Sequence, residues 1–519
     1  MKQSTDLFDL IQSMSPAEKR YFKIFATRHT IGQQNNYVKL FDVVEKQRQY
    51  DEEKVKNELK GEKFISDIAV YKSYLHQLIL DGLHSFYLNS SVESKIKKQM
   101  DQLSILFNKG LYTQGEKLLQ KTKSVAIAHE KYYHLLSISD WELSFIRTKA
   151  FEKTNESRLS KIFAEEDEFF KKYKEEQEYY KLLAQVAHLI STVGQIKSDS
   201  QEAKYRKVMS HKLLSNENIP CTFQGKLTFY NIWLLYFMQS HRSYKKALKF
   251  VSGNLKLFED HPEMMVDKAA RYVTMLTNII MIHIESKKYD TAHYYLKKAR
   301  EFPAKYKVKT EGRIALRIFS LSYLLETHIY VRTGAFEKIG EIKDDIERGL
   351  KQFDRKIPMD TRSIIYFNMA YMYFGNREYH ISSQYLNKIA NNPDPNARQD
   401  IICLSKILLF IVYYELDDTL LFQARLKSTQ RYLVKRNNVF KLEAIILEFI
   451  KKLPKLNSKK ELVDYFKQMK KELEEISKIP FEQIILKDFD FIAWVESKIE
   501  NRPFAEMVKR RASAGQKPL

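Results

Sequence analysis

The stretch NIIMIHIESKKYDTAHYYLKKAREFP, from Asn278 to Pro303, decides the reading of the whole chain. An apolar helix closes in the polar turn Lys287-Lys288, Tyr289 follows, and Ala292 opens a second helix that continues through Leu296 and Ala299 until Pro303 ends the unit. The same grammar recurs from Arg242-Ser243-Tyr244 to Ala247, from Thr333-Gly334-Ala335-Phe336 to Ile339, and from Arg377-Glu378-Tyr379 to Ser382. Fainter copies sit at Tyr112 with Gly115, at Phe151, at Ser200 with Ala203 and at Leu421 with Ala424. The heptapeptides Arg147–Lys153 and Arg332–Lys338 differ at one position. These anchors are spaced about 44 residues apart on average, which predicts eight helical hairpins in tandem. In such an array the small residue lets two helices approach, the aromatic fills the space between hairpins, and each unit buries its apolar face only against its neighbours.

Composition agrees. Of 519 residues, 14 are Gly and 11 are Pro, too few for the turns of strand-rich folds or for the glycine loops of nucleotide-binding folds. The fold class predicted is all-α: a right-handed α-solenoid of about eight hairpins with helical caps at both ends. The pattern resembles the tetratricopeptide repeat (TPR), with Tyr289, Ala292, Leu296, Ala299 and Pro303 at that family's hallmark positions and Asn368–Pro393 as the next best copy. The resemblance spans roughly residues 91–450. It departs from the family in its period, since about 44 exceeds 34, and in lacking the small residue of most first helices, Ala370 excepted.

The chain divides on this reading into a helical bundle over 1–90, a TPR-like solenoid over 91–457, a helical cap over 458–511 and a flexible tail over 512–519. In the first segment Ser15-Pro16-Ala17-Glu18 is a capping box with proline at the first helical position, followed by helices over Tyr37–Lys46, Glu52–Leu59 and Ile65–Tyr87. That layout also suits a helix-turn-helix. Against it, the longest helix is apolar over much of its surface and the first hundred residues, with 16 basic and 13 acidic side chains, are nearly neutral, so a bundle sealing the first repeat is preferred.

Net charge is +22. Eleven Lys or Arg against Glu443 and Glu448 lie between Arg425 and Lys460, and eight against Glu301 and Glu311 between Lys297 and Arg317. Such segments suit a polyanion, with Arg431, Lys435, Arg436, Lys451, Lys452 and Lys455 as the candidate contacts. Two distant cysteines, Cys221 and Cys403, suggest a reducing compartment, and neither a secretory signal nor a membrane-spanning apolar run stands out; the expected location is the cytoplasm and no membrane contact is expected.

Catalytic patterns are weak. Gly110–Lys117 is a phosphate-loop lookalike with its lysine displaced and no Ser or Thr after it, no HExxH occurs, and the cysteines make no zinc site. No enzyme activity, cofactor or metal is expected. Binding is better supported. In the peptide-binding members of the family that the chain resembles, a first-helix asparagine bonds the backbone of a bound peptide, and counting eleven residues back from the anchors lands here on Asn278 and Asn368. Trp233, Leu325 and Phe410 take that place in other units, and three residues further on stand Tyr236, Met281, His328, Tyr371 and Tyr413, an aromatic lining suited to an extended peptide or to stacked bases. The expected function is a non-enzymatic scaffold that holds a peptide or helix of a partner protein in a concave groove; the alternative is a nucleic-acid-associated regulator using the basic segments or the N-terminal helices.

Overall fold

The computed structural model describes residues 4–27, 35–148, 156–193, 196, 198–240, 243–308, 312–391, 399–418, 420–421, 429, 441–452, 458–478 and 488–513. Among these residues there are 24 α-helices and no strand. The chain folds into two compact units, Met1–Ile282 and His283–Leu519.

The first unit opens with α1 (Asp6–Ser13), α2 (Pro16–Thr27), α3 (Asn36–Lys46), α4 (Glu52–Glu58) and α5 (Ile68–Tyr87), which share one core built on Ile11, Phe22, Phe41, Val44 and Ile79. The capping box at α2 is reciprocal: Glu18 N–H donates to Ser15 Oγ and the Ser15 N–H donates to the Glu18 carboxylate. Then come α6 (Val92–Asn108), α7 (Tyr112–Ala128), α8 (Tyr132–Thr148), α9 (Glu156–Thr192), α10 (Asp199–Met209), α11 (Phe223–Leu235), α12 (Tyr244–Asp260), α13 (Pro262–Asp267) and α14 (Ala269–Glu285), inside which the division between the units falls.

The second unit holds α15 (Tyr289–Lys305), α16 (Arg313–Thr333), α17 (Ile339–Gln352), α18 (Met359–Gly375), α19 (Tyr379–Ala390), α20 (Gln399–Glu415), α21 (Lys441–Lys452), α22 (Lys459–Ile476), α23 (Phe491–Glu500) and α24 (Phe504–Ser513). Helix α18 packs on both α16 and α19, and α20 on both α18 and α19, so the first helices of successive hairpins are neighbours.

The turns explain the spacing. Gly110, Lys287, Gly334 and Arg377, each two residues before an aromatic anchor, take positive φ, and the residue after each donates its N–H to the carbonyl five residues back, as in Ala335 N to Tyr330 O at 3.0 Å. This is the left-handed helix terminus that satisfies orphaned carbonyls. Four more turns share it, at Glu130, Lys307, Asn501 and Asp417. The last falls four residues, not two, before Leu421, so the faint final copy is out of register with the others. The small-residue positions Gly115, Ala247, Ala292 and Ser382 are all buried, as is Ile339, and Ser382 Oγ donates to Ala370 O of α18 at 2.8 Å. Pro303 does not end its helix at once: α15 runs on for two residues, to Lys305. The anchor Phe151, with residues 149–153 of the first heptapeptide, and Pro393 lie outside the described residues.

Residues read as a separate C-terminal cap share one core with the hairpins of the second unit. Phe489 and Phe504 pack against Tyr371, Phe374 and Phe336, and Trp494, fully buried, donates Nε1–H to Glu415 Oε1 at 2.7 Å. Each such aromatic contributes about 1.5–3 kcal/mol through burial. Helix α24 reaches Ser513, so the first residues of the expected tail are helical.

Candidate functional site

A cavity of the second unit lies where three first helices meet the C-terminal segment. Helix α16 supplies His328, Val331 and Arg332, α18 supplies Ile364, Phe367, Asn368 and Tyr371, and α20 supplies Ile401 and Leu404. Asp488, Asp490 and Val508 close it, around a volume of about 140 Å³. Three residues singled out from sequence, His328, Asn368 and Tyr371, therefore share one site.

Their hydrogen bonds set their roles. Asn368 spends Nδ2 on Thr327 Oγ1 at 2.9 Å. The Tyr371 hydroxyl accepts the backbone N–H of Asp490 at 3.0 Å, and burial holds that phenol far above its ordinary pKa. Asp490 caps α23 by accepting Ala493 N–H at 2.9 Å through Oδ1, while Oδ2 accepts Arg511 Nε–H at 3.1 Å. Burial raises the Asp490 carboxyl above the usual range against the pull of Arg511. Arg332 pairs with Glu285 at 3.2 Å, yet its buried Nε has no hydrogen-bond partner among the described residues. Desolvation, helped by the nearby Arg332 cation, pushes His328 down to about 3, so its imidazole is neutral at physiological pH.

The remaining expected contacts are dispersed. Trp233 is half-buried, stacked on Phe237 and Phe250 at 5.5 Å each, and borders a separate cavity of about 220 Å³ with Asn216, Glu217 and Lys249. Tyr236 is buried, donates to Glu202 Oε1 at 3.2 Å and is pushed up to about 12, chiefly by burial. Asn278 and Met281 are half-buried on α14. Tyr413 is buried and its hydroxyl accepts Asn387 Nδ2 at 3.3 Å. The open aromatic lining expected from sequence is thus covered at Tyr371, where Phe489 and Phe504 of the chain itself occupy the face, and buried at Tyr236 and Tyr413.

Of the polyanion candidates, Lys451 and Lys452 lie on α21, with Lys451 paired to Glu448 at 2.6 Å; Arg431, Lys435, Arg436 and Lys455 lie outside the described residues. Between residues 297 and 317, Arg300 stacks 4.2 Å over Tyr323 and pairs with Glu326 at 2.6 Å, so that cation serves packing within the hairpins. Among the described residues there is no group of three or more His, Cys, Asp or Glu able to hold a metal ion, and no helix long and apolar enough to cross a membrane.

Sequence reasoning missed Arg332, Asp488 and Asp490. Arg332 was legible as the i+4 neighbour of His328 on one helix face, and Asp490 as an N-cap before the apolar run Phe491–Val495. Their meeting was not, because more than 150 residues separate them in sequence. No protein family, no curated protein and no solved structure matches the chain.

Proposed function

We propose that the chain is a TPR-like binding scaffold, a right-handed array of about eight hairpins, that holds a helical or extended segment of a partner protein against its first helices. One observation carries the proposal. In the second unit the neighbouring helices α16, α18 and α20 already hold another element of the chain, the segment Phe489–Val508, by tilted ring contacts on Tyr371 and by a main-chain hydrogen bond to its hydroxyl. Helix-in-groove recognition uses the same chemistry between chains. The equivalent first-helix positions of the first unit, Trp233, Asn278 and Met281, keep part of their surface exposed and are the places for a partner.

The test is a photo-crosslinking residue placed at Asn278 or at Met281 in the full-length protein, with Lys256 on the exposed side of α12 as control, in nuclease-treated lysate. Discrete protein adducts from 278 and 281 and none from 256 support the scaffold. Adducts that are equal at all three positions refute it, and capture that vanishes after nuclease treatment points instead to a nucleic-acid-dependent assembly.

A further inference from the structure

We propose that the cavity between α16, α18, α20 and the C-terminal segment is a binding site for a small zwitterion, a free α-amino acid with a short aliphatic side chain. This goes beyond the scaffold reading and does not depend on it. Size sets the first limit. About 140 Å³ is close to the roughly 150 Å³ of an engineered cavity that takes benzene, so the occupant has about six to eight non-hydrogen atoms, the range from alanine to valine.

Charge sets the second. A dry apolar cavity would need no cation, yet the lining here includes Arg332 and His328, one turn apart on α16, together with Asp488 and with Asp490, whose N–H binds Tyr371 of α18. Arg332 is only partly satisfied: Glu285 takes one side of its guanidinium, and its buried Nε–H has no partner among the described residues, a cost that a ligand carboxylate would relieve. His328 adds a neutral ring whose N–H can donate to the same carboxylate. The two aspartates suit an ammonium group. Asp490 uses one lone pair of each oxygen on Ala493 and Arg511 and keeps acceptor capacity, and the carbonyl oxygen of Asn368 adds another acceptor. Ile364, Ile401, Leu404 and Val508 of the same lining offer an apolar surface for a short side chain. A lining that carries both charges suits a molecule carrying both, and about 140 Å³ is small for an aromatic amino acid.

Titration calorimetry on the full-length protein with L-alanine and L-valine tests this, with isovalerate lacking the amine, isobutylamine lacking the carboxylate, and L-tryptophan exceeding the volume. The expected result is saturable binding of alanine or valine at millimolar concentration or below, weakened about tenfold or more by removal of either charge, and no binding of tryptophan. Arg332→Gln should weaken binding about tenfold with its melting temperature checked alongside, because it also loses Glu285. Asp488→Asn, at an exposed position and with its melting temperature checked alongside, should do the same for the ammonium group. Absence of binding by any small amino acid overturns the proposal. So does isovalerate binding as tightly as valine, or full affinity in Asp488→Asn.

Discussion

Replacing Glu176 by Gln should stabilise the first unit at pH 8 and leave it nearly unchanged at pH 5. Glu176 sits on α9 with one carboxylate oxygen buried and without a hydrogen-bond partner among the described residues. Burial raises its pKa from 4.5 to about 7, with the nearby Glu130 carboxylate adding to the rise and the Thr222 hydroxyl opposing it. Glu130 is itself raised by burial while its Oε2 accepts the Phe223 N–H at 2.6 Å, so both acids press on the turn that opens α11. The sign follows from proton binding. Between about pH 4.5 and pH 7 the folded state holds a proton on Glu176 that the unfolded chain has released, so stability falls as pH rises through that window and is flat above it. At about 1.4 kcal/mol per unit the full shift corresponds to about 3 kcal/mol, and partial solvent access reduces this to about 1–2 kcal/mol. Gln keeps the shape and loses the charge. With an unfolding entropy of about 2.1 cal/mol/K per residue over Met1–Ile282, the gain at pH 8 is about 2–3 °C in melting temperature. Thermal unfolding of both proteins from pH 5 to pH 8 checks it. Parallel melting curves across the whole range, or a less stable Glu176→Gln protein at pH 8, would refute the reasoning.

Four further outcomes are expected. Gly334→Ala places a Cβ 3.0 Å from the Lys509 backbone nitrogen and 3.1 Å from Ala505 O at φ +70°, and should lower stability by about 1–2 kcal/mol or more in denaturant titration. Arg511→Leu leaves the buried Asp490 carboxylate without its cation and should cost about 3–5 kcal/mol near neutral pH, with part recovered when Asp490→Asn is added. Ala292→Trp overpacks a fully buried position between α15 and its neighbours and should destabilise by about 1–3 kcal/mol; an unchanged melting temperature would remove the repeat register. His328 should show no imidazole titration by NMR between pH 5 and pH 8, and because its folded pKa lies below its ordinary value, the stability it contributes is complete above about 6.5 and declines only on acidification below that.

The repeat grammar was legible because it is local. A left-handed residue two positions before an aromatic, and a small residue three after it, are demands of one turn and one helix contact, so Lys287, Gly334 and Arg377 carry them in plain sequence. The late Asp417 turn was misjudged for the same reason: Leu421 is an apolar residue at a plausible spacing, and nothing local fixes which residue takes positive φ. Periodicity likewise placed Asn368 and Tyr371 on the first-helix face, and three of the eight groove positions do converge on one cavity.

What the sequence determined by itself is therefore an all-helical chain with hairpin punctuation, since scarce Gly and Pro and the recurring aromatic–small pair act within a few residues of each other. Which first-helix positions stay open was decided only by tertiary structure. Tyr371 reads as a groove tyrosine from its spacing, yet it is fully buried because Phe489, Asp490 and Phe504, more than a hundred residues away in sequence, fold back onto α18. Apolar periodicity says which face of a helix is covered, and only the packing of the folded chain says by what.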